Sequence, residues 1–530
     1  MTNSFAELEH AKCVLVIGSN TTVAHPIAAK RLMRVRGNGG RLIVADPRKT
    51  QISQLADLHV QHNLGSDVAL INGMMHIIYK NGWHNQAFID ERTENLPAML
   101  EVIEPFTPER VEAITGVPQA EIIQMAEWYA KAEASAIVYV LGITQHTTGT
   151  DNVKSLANLA MLCGHIGRPS TGVNPIRGQN NVQGACDMGA LPNVLPGYQY
   201  VTVPANVEKF EKAWGVKLSA TPGLTMYEQV EALKEGKVKG LFVFGANPVV
   251  SYPDANRVQS DLEAAEFLMV MDIFPTPTTE LAHVVLPATS FAESDGTFSS
   301  SERRVQRVRP AVAPLAGKTN WEIIQELSTR MGYPMNYRSG EEIFDEMASL
   351  TPAYGGMSFA RLNEKGLCWP CPTKDHPGTP YLHKDRFARG LGAFQAIDYR
   401  PPAETPDPEY PLWLTTGTLF TQYLTGTMTR RCPSLHHENP VVEMEINPAD
   451  ARRLHLQPGE EVKASTRRGT IMVKALVTER VKPGVVFIPL HYMENAANRL
   501  TNAALDPLTK TPEYKVCAVC LNKVGVDKIA

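Results

Sequence analysis

Between Pro175 and Gly189 the chain places one guanidinium (Arg177), four side-chain amides (Gln179, Asn180, Asn181, Gln183) and three glycines (Gly178, Gly184, Gly189) in fifteen residues, with Asp187 the one acid. Planar donors at this density suit a heterocycle, a phosphate or a carboxylate, and the glycines let the backbone approach a ligand closely. The segment is poor as helix or core strand. Its plainer reading is a polar surface loop that satisfies its own hydrogen bonds. Cys368-Trp369-Pro370-Cys371 and Cys517-Ala518-Val519-Cys520 have the spacing of zinc half-sites. Trp-Pro splits the first, however, and strand alternation through the second sends its thiols to opposite faces, so buried thiols are expected. Ala316-Gly317-Lys318-Thr319 mimics the end of a phosphate loop, but the position that needs the upstream glycine is Val312, so it reads as a turn before a helix starting near Asn320.

Such groups need elements to hold them. An apolar run over residues 12–18 ends in Gly18 and leads through Ser19-Asn20-Thr21-Thr22 into a basic amphipathic stretch over 25–36; a second apolar run, 41–45, then delivers Asp46, Pro47 and Arg48. This is a strand, helix, strand unit of parallel sheet. Apolar runs recur over 136–142, 240–247 and 267–272. Open α/β sheets bind ligands beyond the carboxyl ends of their strands, so the polar residues there are the first candidates. No Gly-x-Gly-x-x-Gly follows the first strand, which argues against a nicotinamide dinucleotide. Prolines interspersed with acids over 399–410 predict a linker with a boundary near 405. Beyond it, residues 460–477 alternate around Arg467-Arg468-Gly469, and Lys482-Pro483-Gly484 marks another turn, which predicts a mostly β module. No internal repeat or low-complexity tract is evident.

With 530 residues, 43% of them hydrophobic, the chain has room for roughly three to four domains. The formal net charge of −4 supplies no footprint for nucleic acid or an anionic bilayer, and the apolar runs fall short of the ~20 residues of a membrane span. The start shows neither a basic nor an apolar leader region, so a cytoplasmic location is expected, and eight cysteines suit reduced thiols rather than a disulfide scaffold.

The run from Gly172 to Ala190 resembles the signature loop of formate dehydrogenase catalytic subunits in the molybdopterin oxidoreductase superfamily. The likeness continues, in order, through Gly18-Ser-Asn-Thr-Thr with His25-Pro26, Ala45-Asp-Pro-Arg48, Gly65-Ser-Asp67, Gly142-Ile-Thr-Gln145, Gly245-Ala-Asn-Pro248 and Ala282-His-Val-Val-Leu-Pro287 with Glu293 and Gly296-Thr297. It ends with Gly426-Thr-Met-Thr-Arg-Arg431, Asn447-Pro-Ala-Asp450 and Pro512-Glu-Tyr-Lys515. A match of this length and collinearity is more specific than any one motif. The run Thr416 to Gly426 departs from many relatives, which carry an Arg after Thr-Gly and histidines before Thr-Gly-Thr.

The resemblance implies an α/β fold: parallel-sheet dinucleotide-binding-like domains followed by a C-terminal β-barrel, with boundaries expected at 1–179, 180–400 and 405–530. It implies Mo or W held by two molybdopterin guanine dinucleotides. Gly18, Asn20, Asp46, Arg48, Gly65 and Asp67 would bind one of these, with Gly142 and Gln145 along its inner part. Gly245, Asn247 and Asp272 would receive the other, Gly178, Gln179 and Asn180 would lie near the pterin, and Asn498, Tyr514 and Lys515 would add contacts from the C-terminal module. Arg177 would bind formate, with CO2 as product. The family's N-terminal [4Fe-4S] domain and its selenocysteine or cysteine metal ligand, followed by histidine, have no counterpart here, since Cys13 stands alone. The resemblance therefore implies a downstream portion, inactive by itself, of a gene split at or read short of a selenocysteine codon. Expected partners are that N-terminal segment and an electron-transfer subunit of iron–sulfur, flavin or hydrogenase type, with no nucleic acid and no membrane span. Another bis-dinucleotide reductase, such as a nitrate reductase, and a non-catalytic scaffold subunit like that of respiratory complex I are the alternatives.

Overall fold

Five short strands carry the first half of the chain: β1 (Cys13–Ile17), β2 (Arg41–Ala45), β3 (Leu58–Val60), β4 (Ser135–Tyr139) and β5 (Gly172–Pro175). They form one parallel sheet in the order β3-β2-β1-β4-β5. Every side chain of β1 and β4 is buried, and the period of two divides them between two cores. Leu15, Ile17, Ile43 and Ile137 pack on one face, and Val14, Val16, Leu42 and Val138 on the other. Each such side chain contributes about 1.5–3 kcal/mol on leaving water. The helix α1 (Pro26–Gly37) between β1 and β2 starts on a proline, ends on Arg34 and Arg36, and buries Ala28, Ala29, Leu32 and Val35, as helix-end electrostatics and amphipathic spacing require. The order reverses between β1 and β4, which makes their carboxyl ends the topological switch point of the sheet.

The computed structural model describes residues 1–524. They divide into one unit of residues 1–176, 248–258 and 381 onward, and a second of residues 177–247 and 259–380. In the second unit β6 (Gly240–Phe244), β7 (Phe267–Asp272) and β8 (Val284–Pro287) form a parallel sheet in the order β8-β7-β6. An antiparallel sheet of β9 (Gly296–Ser299), β10 (Arg304–Val308) and β11 (Leu367–Cys368) follows. The first unit ends in a closed barrel of β12 (Leu412–Gly417), β13 (Glu443–Ile446), β14 (Glu461–Ser465), β15 (Thr470–Val477), β16 (Val485–Pro489) and β17 (Cys517–Lys523). Its order around the barrel is β12-β16-β13-β15-β14-β17. Residues 525–530 of the expected C-terminal module lie outside the described residues. The β14–β15 hairpin turns at Thr466 to Gly469, and its Val462, Ala464, Ile471 and Val473 fill the barrel. Among the described residues no helix is long and apolar enough to cross a membrane.

Two sequence expectations need correction. The segment read as poor in helix contains a short one, α2 (Val182–Asp187). It forms because Gly184 leaves room for the Asn181 side chain, where a Cβ would lie 2.1 Å from Asn181 Oδ1, and because Gln183 and Asp187, one turn apart, bond to each other. The run read as a strand through Gly142 stops at Tyr139; Leu141–Thr144 turns helical where Gly142 N–H donates to the Gly18 carbonyl (3.0 Å).

Candidate functional site

The switch point of the first sheet is held by two glycines. Gly18 follows β1 with φ +56°, and a Cβ on it would stand 2.7 Å from the Gly142 carbonyl carbon; one on Gly142 would stand 2.5 Å from the Gly18 oxygen. Neither position admits a side chain. Asn20 lies two residues on and accepts from the Thr22 hydroxyl (3.3 Å). Gln145 caps the turn after Gly142. The adjacent His146 is buried and bonds the Gly142 carbonyl through Nε2 (2.8 Å).

Asp46, the first residue past β2, accepts the Arg48 backbone N–H on Oδ1 (2.9 Å), and burial raises its carboxyl above the ordinary range. Arg48 stacks on Phe487, 3.6 Å from the ring centroid, and clamps Glu445 with Nε and Nη2, both at 2.7 Å. Arg480 adds a third bond to that carboxylate (3.2 Å). Lys515 donates to the Thr416 carbonyl (2.8 Å). Burial brings its ammonium down to about 8, against the pull of Asp46 and with the push of Arg48. Asp46, Arg48 and Lys515 are thus brought into one charged cluster from a strand end and the barrel, the kind of set that holds a guanine edge and a diphosphate.

Asp67 is buried beside His62, Nε2 to Oδ1 at 3.1 Å. Burial would raise its carboxyl, but His62, through charge and hydrogen bond, and His146 outweigh this and hold it low. Gly65 (φ +70°) owes its missing side chain to Pro402, whose Cγ a Cβ would meet at 2.4 Å. Asn498 and Tyr514 converge elsewhere, on the turn Pro248–Ser251: Asn498 Nδ2 donates to the Val250 and Ser251 carbonyls (2.9 and 3.1 Å), and the Tyr514 hydroxyl to Ser251 (3.0 Å).

The second unit repeats the first unit's strand-end geometry. After β6 comes Gly245 with φ +60°, then Ala246 and Asn247. Gly245 N–H donates to Met271 at the end of β7 (2.8 Å), as Gly18 N–H donates to Ala45 at the end of β2 (3.0 Å), and the next residue is Asp272, as it was Asp46. A local repeat, Gly-x-Asn with a neighbouring strand-end Asp, therefore exists that the sequence reading missed. So few residues, each set spread over two distant places, do not stand out without the fold. Asn247 Oδ1 accepts from Thr278 (2.7 Å) and Asp272 Oδ1 from Ile273 N–H (2.7 Å).

Arg177 opens the second unit. Its backbone N–H donates to Ser301 Oγ (2.8 Å) and its Nε to Gln183 Oε1 (3.0 Å). Gly178 stands in open space, Gln179 is half-buried and Asn180 exposed. Behind Arg177 lies a polar network the sequence reading did not single out. Gln183 Nε2 donates to Asp187 Oδ1 (2.9 Å) and to the Tyr198 hydroxyl (2.7 Å). Asp187 Oδ2 also accepts from Trp369 Nε1 (2.9 Å) and from the Tyr354 hydroxyl. The one available signal was the i, i+4 spacing of Gln183 and Asp187. Trp369 belongs to the first cysteine pair; Cys368, Cys371 and Cys517 are buried and Cys520 half-buried. Among the described residues no three His, Cys, Asp or Glu side chains are grouped to hold a metal ion.

A switch point built for close backbone approach, a second copy of its turn and a closed barrel that supplies cations define a nucleotide-cofactor protein of the α/β class. Residues 1–330 match the Molybdopterin oxidoreductase family, and residues 412–518 the Molydopterin dinucleotide binding domain. The chain is 47% identical over 530 residues to the F420-dependent formate dehydrogenase subunit alpha of Methanocaldococcus jannaschii, covering 99% of this chain and 78% of the relative. It is 40% identical over 539 residues to formate dehydrogenase H of Escherichia coli, covering 100% and 75%. The fold resembles that of acetylene hydratase from Pelobacter acetylenicus, with a TM-score of 0.77 at 21% identity over 98% of this chain and 78% of that one. The chain belongs to the molybdopterin oxidoreductase family, and within it is an oxidoreductase of the formate dehydrogenase group.

Proposed function

We propose that this chain is part of an enzyme that oxidises formate to CO2 with a bis-molybdopterin guanine dinucleotide cofactor. The observation that carries the reading is Arg177, anchored at its backbone by Ser301 and at Nε by Gln183, in a chain whose relatives are named formate dehydrogenases. The donor chemistry fits the cofactor. Asp46 at a strand end offers an acceptor to guanine N–H groups, Arg48 and Lys515 offer cations to a diphosphate, and Gly18 with Gly142 keeps the backbone bare. Gly18, Asn20, Asp46, Arg48, Gly65, Asp67, Gly142, Gln145 and Lys515 would hold one dinucleotide. Gly245, Asn247 and Asp272 would hold the second, with Asn498 and Tyr514 supporting the turn that follows Asn247. Gly178, Gln179 and Asn180 would face the pterin. When bound, the cofactor supplies a Mo or W centre that accepts two electrons.

Formate has three heavy atoms, so its orientation must come almost wholly from its carboxylate, which a guanidinium fork grips in two parallel bonds. Arg177 would take that part. The electrons would leave to a partner subunit of iron–sulfur, flavin or hydrogenase type, a reading supported by relatives described as alpha subunits. In the assembled enzyme, Arg177→Lys is expected to keep its metal and guanine nucleotide while kcat/KM for formate falls about 100-fold. A lysine variant with wild-type KM and turnover overturns the assignment. Turnover of nitrate rather than formate by the unaltered enzyme overturns the substrate.

A further inference from the structure

We propose that Gln183 and Asp187 are positioning residues that set the plane of the Arg177 guanidinium, a proposal that rests on Arg177 being the formate-binding group. Asp187 is 2% exposed, and its carboxylate faces the donors of Gln183, Trp369 and Tyr354. An ionised carboxylate only accepts, so the Gln183 amide must turn its nitrogen toward Asp187. Its second N–H goes to the Tyr198 hydroxyl. With both hydrogens committed, the amide cannot flip, and Oε1 is left facing Arg177 Nε at 3.0 Å.

The frame around this relay is held from several sides. Tyr198 adopts φ +58°, a left-handed conformation that a tyrosine enters only where its surroundings over-determine it. Tyr354 also shares a hydrogen bond with Ser299 Oγ (3.1 Å), whose backbone N–H donates to Asn181 Oδ1 (2.9 Å). Burial and the Asp187 charge push the Tyr198 and Tyr354 hydroxyls up, so both stay protonated. A guanidinium is planar by itself, and holding its Nε favours one orientation of that plane, which is what two parallel bonds to a planar anion require. Asp187 thereby acts on substrate through two intervening residues, Gln183 and Arg177.

The donor order can be inverted without changing the shape. Asp187→Asn places an N–H against the Gln183 N–H, so one amide must turn. If Gln183 turns, it sets a donor against Arg177 Nε. The double variant Gln183→Glu with Asp187→Asn reverses the pair. The introduced amide at position 187 then donates through its nitrogen to the introduced carboxylate at position 183 and accepts from Trp369 and Tyr354 on its oxygen. The other carboxylate oxygen at position 183 accepts from Arg177. In the assembled enzyme, Asp187→Asn should raise the formate KM, and the Kd from calorimetric titration, about tenfold, with a smaller change in kcat, and the double variant should return both to within about threefold of the starting values. Crystal structures of both variants should show the hydrogen bond from Arg177 Nε broken in the first and restored in the second. An unchanged KM in Asp187→Asn, a double variant as impaired as the single, or an intact Nε hydrogen bond in Asp187→Asn overturns the proposal. Should Asp187→Asn not fold, Gln183→Leu carries the test, since it removes the acceptor from Arg177 while leaving the Tyr354 and Trp369 donors on Asp187. An unaltered enzyme that neither binds nor oxidises formate overturns the substrate reading instead; the crystal structures then still decide the relay.

Discussion

The two parallel sheets end their first strands with the same turn under different packing. Gly18 and Gly245 share a left-handed φ, the same hydrogen bond to the neighbouring strand and the same Asn and Asp partners. Around Gly18 the sheet is walled on both faces, and the glycine abuts the Gly142 backbone. Around Gly245 a Cβ would meet nothing within 4 Å, and the sheet presents Phe244 at 44% and Val285 at 51% exposure. Parallel sheets normally bury both faces. The turn therefore arises locally, from strand twist and a residue free to take positive φ, since it forms in both surroundings. The steric need for glycine is separate, and it exists only where a second strand end closes on the first.

The strand-end acids differ too. Asp46 is followed two residues later by Arg48, which the barrel holds through Glu445 and Phe487, whereas Asp272 is followed at that distance by Phe274. The first site is thus tied to the barrel by a buried ion pair, and the second carries an aromatic ring at the corresponding place.

The largest expected effect strikes that tie. Glu445→Ala strands the Arg48 guanidinium and should cost about 3–5 kcal/mol in chemical denaturation, while Phe274→Ala, at a ring already 37% exposed, should cost only about 1–2 kcal/mol; equal losses would erase the distinction. Next, Gly142→Ala drives a Cβ into the Gly18 backbone and should cost about 3 kcal/mol, against about 1–2 kcal/mol for Gly245→Ala, where left-handed strain acts alone. Third comes Lys515. Its ammonium titrates near 8 in the free protein, so affinity for guanosine diphosphate should fall about tenfold between pH 7 and 9, and Lys515→Met should flatten that profile. The same shift has a stability counterpart. Keeping Lys515 charged costs stability below about 8, and that cost is relieved as pH rises toward the ordinary lysine value of 10.5, because the unfolded chain then binds more protons than the folded one. The smallest effect belongs to the bare face: Phe244→Ser should shift stability by only about 0.5 kcal/mol, whereas Ile17→Ala in the walled sheet should cost about 2–5 kcal/mol.

Sequence alone was enough for the strand and helix succession of the first sheet, because burial on both faces leaves continuous apolar runs over 13–17, 41–45 and 135–139. It was enough for the alternation of β14 and β15 and for the turn between them, both local signals. It also identified Asp46, Arg48 and Arg177 as residues to watch, since strand ends and clustered planar donors can be read from order and composition.

Only the tertiary structure decided which groups share a site. Glu445 and Glu443 are alike in sequence, and nothing before folding says that Arg48, almost four hundred positions away, selects Glu445. The helix α2 was unreadable for the same reason: local propensity is worth tenths of a kcal/mol per residue, and the bonds from Gln183 to Tyr198 and from Tyr354 and Trp369 to Asp187 outweigh it. Local propensities and burial periods act over a few residues and are written into their order. Side-chain pairings depend on which surfaces the finished fold brings within about 3 Å, and that distance exists only once the chain has closed on itself.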